Sequence, residues 1–422
     1  MSSGESALPR YRMSLDNPTH VQFHSEIEES RTKGWLHTWL CGYLVFNHDD
    51  VTTLLRDRRL HQGAGKVPAM MAGVVDPVSS LPADDILLAE GEKHTRLRRL
   101  VAEAFSPRAI ESMRPGIRAH ADTLVERAMT TSPRDEHGRT VVDFTSMVSE
   151  LPIAVIGQLL GTGPEDFPLH DKWAESHFQV LKSSAVDDTE RDARLARAAE
   201  EFDAYCTSVI DDRRRSPGSD LLSRLIAVEE AGDRLSTSEL VSLVRSIIAA
   251  GIDTTRNQIG SMMALVVDNP TTWFTLRDQP DLVVGAVEES LRLLNPIRTA
   301  MRIVNETFEY RGVTFDKGTL VALSLSGASR DPGTFSDSAT FDTTRSNARD
   351  HLAFSFGVHH CLGAALARVE LQEMLRSILD KWTSVEVIEP ITWKHAKLPI
   401  WGPDRIVLAV STTHGYEYDS NS

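Results

Sequence analysis

Apolar residues recur at Leu362, Leu366, Val369, Leu371, Leu375 and Ile378, the spacing that lines one face of a helix. The segment before them, Phe354 to Gly363, is short and punctuated by Gly357 and Gly363, so a loop feeds this helix. A longer helix is predicted over 236–268: Ser236 and Glu239 stand at capping-box spacing, and Asn269-Pro270 stops the run. At ~1.5 Å per residue such a rod spans the whole molecule. Residues 108–232 carry mostly helical pattern, broken at Pro133, Gly161-Thr162-Gly163-Pro164 and Pro217-Gly218. Strand patterns are fewer. His37 to Phe46 reads as one strand and 49–58 as a short helix. Arg302-Ile303-Val304, Leu320 to Leu323 and the stretch from Ile391 to Val410 read as further strands. The pattern predicts a mainly α chain with small β-sheets, class α+β.

From His61 to Ala89 the chain is irregular yet apolar at Val67, Met70, Met71, Val74 and Val75, which a loop packed on the core explains. With 41% hydrophobic residues in 422, a large core is available, and length alone permits two or three domains. No apolar run approaches the ~20 residues needed to span a bilayer. Met1 to Asn17 is polar and lacks a signal-peptide core. Those two features predict a cytoplasmic protein with no membrane insertion. A formal charge of −15 argues against a general nucleic-acid binder while leaving room for a local basic patch. Cys41, Cys206 and Cys361 are the three cysteines, with no short-range pairing, and fit a reducing compartment.

Four places carry candidate chemistry. Cys361 falls where a helix is expected to begin, and unpaired N–H groups with the positive end of a helix dipole favour a thiolate there. Gly357 and Gly363 allow a tight turn and a close approach to a flat ligand. A thiolate among N–H donors suits an axial sulfur ligand to haem iron. In the middle of the long helix, Ala249-Ala250-Gly251-Ile252-Asp253-Thr254-Thr255 weakens helix propensity at one place. The Thr254 hydroxyl can bond back to the Ala250 carbonyl and bend the helix, with an acid beside it. His94 and Arg98 are four apart and share a helix face, as solvated pairs often do. Glu289 and Arg292 are three apart, a pair that means little if exposed.

Phe354-x-x-Gly357-x-His359-x-Cys361-x-Gly363 resembles the haem-binding loop of the cytochrome P450 family in its soluble bacterial form, and the other three motifs follow the family's order. The resemblance spans roughly residues 85–412. It implies one P450-fold domain over 21–412 between tails at 1–20 and 413–422. Haem b (iron protoporphyrin IX) would lie between the long distal helix and the helix after the cysteine loop. Cys361 would be the metal ligand. His94, Arg98, Arg302 and His359 would hold the propionates, and Phe354, Gly357, Gly363 and Ala250 would contact the cofactor. Asp253 and Thr254 would form the oxygen-activation segment, with Thr254 supporting dioxygen and its proton-carrying water and Asp253 relaying protons. Glu289 and Arg292 would be a buried structural pair. A third arginine, common just before the phenylalanine at 341, is replaced by Thr340, and Arg345 is the available substitute. The 61–89 stretch would cover the substrate, and Trp173 and Phe178 fall where the family keeps a mobile lid.

The implied reaction inserts one atom of O2 into an organic substrate, with electrons from a ferredoxin and its reductase docking on the cysteine side. Lys93, Arg96, Arg99, Arg349 and Arg376 could form a basic patch there. A peroxide-driven peroxygenase and a non-catalytic haem sensor are the alternatives, together with a helical scaffold that binds no haem. Ser246, Ala249, Ile297, Arg298 and Ile400 are the candidate substrate contacts. A guanidinium at Arg298 would select a carboxylate-bearing substrate; haem contact or exposure to solvent are the competing placements of that side chain.

Overall fold

The structure is a computed structural model that describes residues 8–11, 20–39, 42–63, 86–179, 188–230, 235–394 and 400–412. Cys41, the apolar positions between 67 and 75, Leu398 and the tail beyond 412 lie outside the described residues, as does the side chain of Phe178.

The long helix runs Thr237–Asp268, 32 residues, or about 48 Å. Its N-terminus is closed by the expected capping box between Ser236 and Glu239, and Asn269 caps the next helix, Pro270–Asp278. Most of its middle is buried, because two apolar clusters form on it. One includes Ile259, Met262, Met263 and Val266 with the helices Pro107–Thr131 and Ala364–Lys381. The other joins Leu243, Val244, Ile248 and Ile252 to Leu97 and Val101 of the helix Gly91–Ala102, and to Phe202 and Cys206 of the helix Asp188–Arg215.

The expected strand over 37–46 is two antiparallel strands, Leu36–Trp39 and Gly42–Val45. They open a five-stranded sheet that continues through Leu320–Ser324 and Thr299–Val304 to Leu60–His61. Gly42 is required at its place, since a Cβ there would lie 1.8 Å from the Leu320 carbonyl oxygen of the parallel neighbour. A further sheet, Thr140–Asp143, Val407–Ser411 and Ser384–Val387, uses a strand that interrupts the mostly helical region expected over 108–232. Part of the expected N-terminal tail is docked: Tyr11 N donates to the Thr38 carbonyl at 3.0 Å, and Tyr11 is buried against Phe46. Among the described residues, no helix is long and apolar enough to cross a membrane.

Candidate active site

The cysteine loop is built ahead of its helix. A 3-10 turn, Gly357–His359, leads to Cys361, whose N–H donates to the Phe354 carbonyl at 2.9 Å. Ser355 and Gly357 both take the left-handed backbone region, with φ of 59° and 76°. Only glycine suits position 357 without strain, and a Cβ there would also press to 3.0 Å from the Leu55 carbonyl oxygen. Gly363 has an ordinary φ of −81°, so the turn does not need it.

The expectation of a dipole-stabilised thiolate needs correction. The helix starts at Ala364 with Gly363 as its N-cap, so Cys361 precedes it. Burial raises the Cys361 thiol pKa, and the Gly363 N–H, Arg98 and Arg368 oppose that rise without cancelling it. Yet the side chain is exposed. Exposure and burial are reconciled if the sulfur opens onto a space inside the protein. Coordination to a metal cation, which deprotonates a thiol outright, would then supply the ionisation that the helix does not.

Four basic side chains from three elements meet beside it. His94 is buried on the helix Gly91–Ala102, with its ring centroid 4.2 Å from that of His359. Arg98, one turn on, donates to the His360 carbonyl at 2.6 Å. Arg302, on the strand Thr299–Val304, donates to Gln62 Oε1 at 2.9 Å and to its neighbour's carbonyl, Met301 O, at 2.8 Å. Burial depresses Arg302 to about 10, opposed by Glu90. His359 falls to about 3, first through burial and then through the charges of His94, Arg302 and Arg98. A buried Arg302 and a half-buried Arg98, with two neutral imidazoles beside them able to donate hydrogen bonds, suit a ligand bearing two carboxylates. A cysteine sulfur beside two arginines and two imidazoles that could hold a pair of carboxylates fits haem.

On the long helix, Thr254 Oγ1 donates to the Ala250 carbonyl at 2.6 Å, the back-bond expected there. Asp253 is buried; its Oδ1 lies 3.5 Å from Arg256 Nη1, while Arg256 Nη2 reaches Asp171 Oδ1 at 2.5 Å. Asp171 is 46% exposed at its side chain, so a chain of polar groups leads from Asp253 to solvent. Ile247, Ala250, Gly251 and Thr254 are half-buried within this otherwise buried stretch. Their spacing makes a stripe on one helix face. Ser246 and Ala249, expected to face substrate, are buried, as are Arg298 and Ile400. The Ser246 hydroxyl is bonded to the Ser242 carbonyl at 2.7 Å. Ile247 is absent from the expected contacts, although counting back seven residues from Thr254 finds it.

Arg298 is buried, which excludes the solvent-facing placement, and its guanidinium carbon lies 5.3 Å from the Trp401 ring centroid. Burial lowers it to about 10, against the influence of Tyr11, so it stays charged at neutral pH. Ile297 is half-buried and Ile400 buried nearby, where Trp401 N donates to the Pro296 carbonyl at 3.0 Å.

Comparison with known proteins decides the family. The cytochrome P450 family model matches residues 78–390. The chain belongs to the cytochrome P450 family. It is 32% identical to the polyketide biosynthesis cytochrome P450 PksS of Bacillus subtilis (strain 168), over 84% of this chain and 85% of that protein. Identity to the mycinamicin IV hydroxylase/epoxidase of Micromonospora griseorubida is 35%, over 83% and 84%. Among solved structures, the myxobacterial cytochrome P450 CYP267B1 in complex with myristic acid superposes with a TM-score of 0.83 at 32% identity, covering 94% of this chain and 98% of that one. The P450 fold and haem b follow, and this P450 is an oxidoreductase of the monooxygenase type that acts on an organic substrate with O2.

Two ion networks back to back hold the P450 loop region. Glu289 and Arg292 are fully buried and paired through two hydrogen bonds of 2.5 and 2.9 Å. Arg292 also donates to the carbonyls of Ser329, Ser338 and Thr340. Arg345 Nε reaches Glu289 Oε1 at 3.0 Å and supplies the third charge that Thr340 does not. The neighbouring Glu288 faces the other way, to Arg368, His351 and Arg349. Burial alone would raise its carboxyl, but hydrogen bonds from His351 and Arg368 hold it at about 2. Of the expected basic patch, Arg96 pairs with Glu239, Arg376 with Glu373 and Arg349 with Glu288. Lys93, Arg96 and Arg99 line an open cleft of about 610 Å³ with Glu92 and Glu239, so that surface is mixed in charge rather than basic.

Proposed function

We propose that the Cys361 thiolate would bind the haem iron, and that His94, Arg98, Arg302 and His359 would hold the propionates. Phe354, Gly357, Gly363 and Ala250 would flank the ring. The observation that carries this reading is the accessible Cys361 side chain set beside His94, Arg98, Arg302 and His359. Haem, when bound, activates dioxygen and transfers one of its atoms to the substrate. The chain's own part is proton supply, exclusion of bulk water and placement of the substrate. Two electrons and two protons balance the reaction, the second oxygen atom leaving as water. Asp253 would pass protons inward from the Arg256–Asp171 side, and Thr254 would hold them at the distal position. A peroxygenase would not require this relay, so the pairing of Asp253 with Thr254 favours the O2-dependent reaction. Electrons come in this reading from a ferredoxin and its reductase, docking where Arg349, 70% exposed at its side chain, and Val358, 69% exposed, flank the cysteine loop.

Ile247 would line the substrate space with Ile297 and Ile400, and Arg298 would pair with a carboxylate on the substrate. A relative solved with myristic acid is consistent with that class. A charge-assisted pair of this kind is worth about 1.5–3 kcal/mol, or roughly tenfold or more in affinity. Carboxylate-bearing compounds should therefore shift the haem spectrum and be oxidised with ferredoxin, reductase and O2. Arg298→Ala should weaken that binding about tenfold while leaving neutral analogues unaffected. Indifference to charge in both proteins would remove the substrate assignment. Turnover with peroxide but none with the ferredoxin pair would favour the peroxygenase.

A further inference from the structure

We propose that Glu288 is a positioning residue for the cysteine loop, acting through Arg368 and His351, and that the Arg368 charge raises the reduction potential of the metal bound at Cys361. The inference rests on Cys361 being the haem ligand.

Glu288 is 2% exposed and sits on the helix Val283–Leu293, next to the Glu289 that anchors the other network. Arg368, on the helix Ala364–Lys381, grips it with both ends of the guanidinium, Nε to Oε1 at 2.8 Å and Nη2 to Oε2 at 3.0 Å. The fork geometry fixes the plane of the guanidinium as well as its position. That plane lies over Phe354, with the guanidinium carbon 4.6 Å from the ring centroid. Phe354 is the residue whose carbonyl accepts the Cys361 N–H. His351 adds a second grip on the same loop. Its Nδ1 accepts from Ala353 N at 3.2 Å, so Nε2 carries the proton that it gives to Glu288 Oε2, also at 3.2 Å. The imidazole thus works neutral. Arg349 approaches Glu288 from the surface at 3.5 Å. Loop residues 349, 351 and 354 are therefore all tied to one carboxylate, directly or through Arg368.

Arg368 Nη1 also donates to the carbonyl of Ala364 at 3.4 Å, the first residue of the helix that follows Cys361, which sets its charge on the side of the loop that bears the sulfur. A fixed positive charge near a thiolate ligand favours the reduced metal, because the added electron lowers the net charge of the centre beside it. Potential is one of the properties that surroundings of the ligand tune. A purely structural brace would affect stability and leave the potential alone.

The test is a redox titration of the haem-loaded protein and its variants. Arg368→Met should lower the potential by about 59 mV, equal to a tenfold change in a one-electron equilibrium. Arg368→Lys, which keeps the charge but loses the fork, should lower it by less. Glu288→Gln frees Arg368 from its carboxylate and should shift the potential too, and combining it with Arg368→Met should add little. If Glu288→Gln does not fold, the two Arg368 variants carry the test. An unchanged potential in Arg368→Met, with a thiolate-type spectrum intact, overturns the proposal. Absence of that spectrum in the unsubstituted protein would instead overturn the ligand assignment beneath it.

Discussion

Arg292→Leu is expected to destabilise the protein by about 3–5 kcal/mol, the cost of leaving one member of a buried ion pair without its partner. Glu289 and Arg292 are both fully buried, so water cannot replace the lost contact. Three backbone carbonyls, those of Ser329, Ser338 and Thr340, lose a charged donor in the same step. A loss of that size is a large share of the roughly 5–15 kcal/mol by which folded proteins are stable. Arg345→Leu should cost less, because Arg345 makes one hydrogen bond to Glu289 and its remaining donors reach carbonyls at the surface. Urea unfolding of both variants checks this. A stability for Arg292→Leu within about 1 kcal/mol of the unsubstituted protein would mean that the pair is not needed to hold the region.

Asp253→Asn should slow turnover by about 10²-fold, in the range that a positioned proton-transfer group contributes. The substitution keeps the size of the side chain and removes its capacity to carry a proton. Arg256 and Asp171 would still connect the site to the surface, so the loss falls on the inner step and the solvent isotope effect should rise. Thr254→Ala should behave differently. It removes the hydroxyl now bonded to Ala250 O, so O2 and electrons are still consumed while product falls and hydrogen peroxide accumulates. Measuring product, peroxide and O2 uptake together separates the two. Coupling in Thr254→Ala equal to that of the unsubstituted protein would contradict the role given to its hydroxyl.

Features that depend on near neighbours in the chain are legible in the amino-acid order alone. The cysteine loop, the capping box at Ser236 and the Thr254 back-bond are all set within a few residues. Contacts made by folding are not. His351 and Arg368 lie 63 and 80 residues from Glu288, and no local pattern brings them together. Arg345 can be named as a substitute, but only the path of the chain past Glu289 shows that it arrives. One expectation fails for a physical reason. A helix dipole argues for a Cys361 thiolate, whereas burial has the larger effect on that thiol. The strand Thr140–Asp143 is only 4 residues long between helices, too short for alternation to stand out.

Sulfur ligation by residue 361 is tested most directly by the absorption spectrum of the purified, reduced protein under carbon monoxide. A Soret band shifted to the long wavelength given by a thiolate ligand is expected, and Cys361→Ser should abolish it. A protein that stays colourless with added haemin, or a spectrum that serine at 361 leaves unchanged, would contradict it.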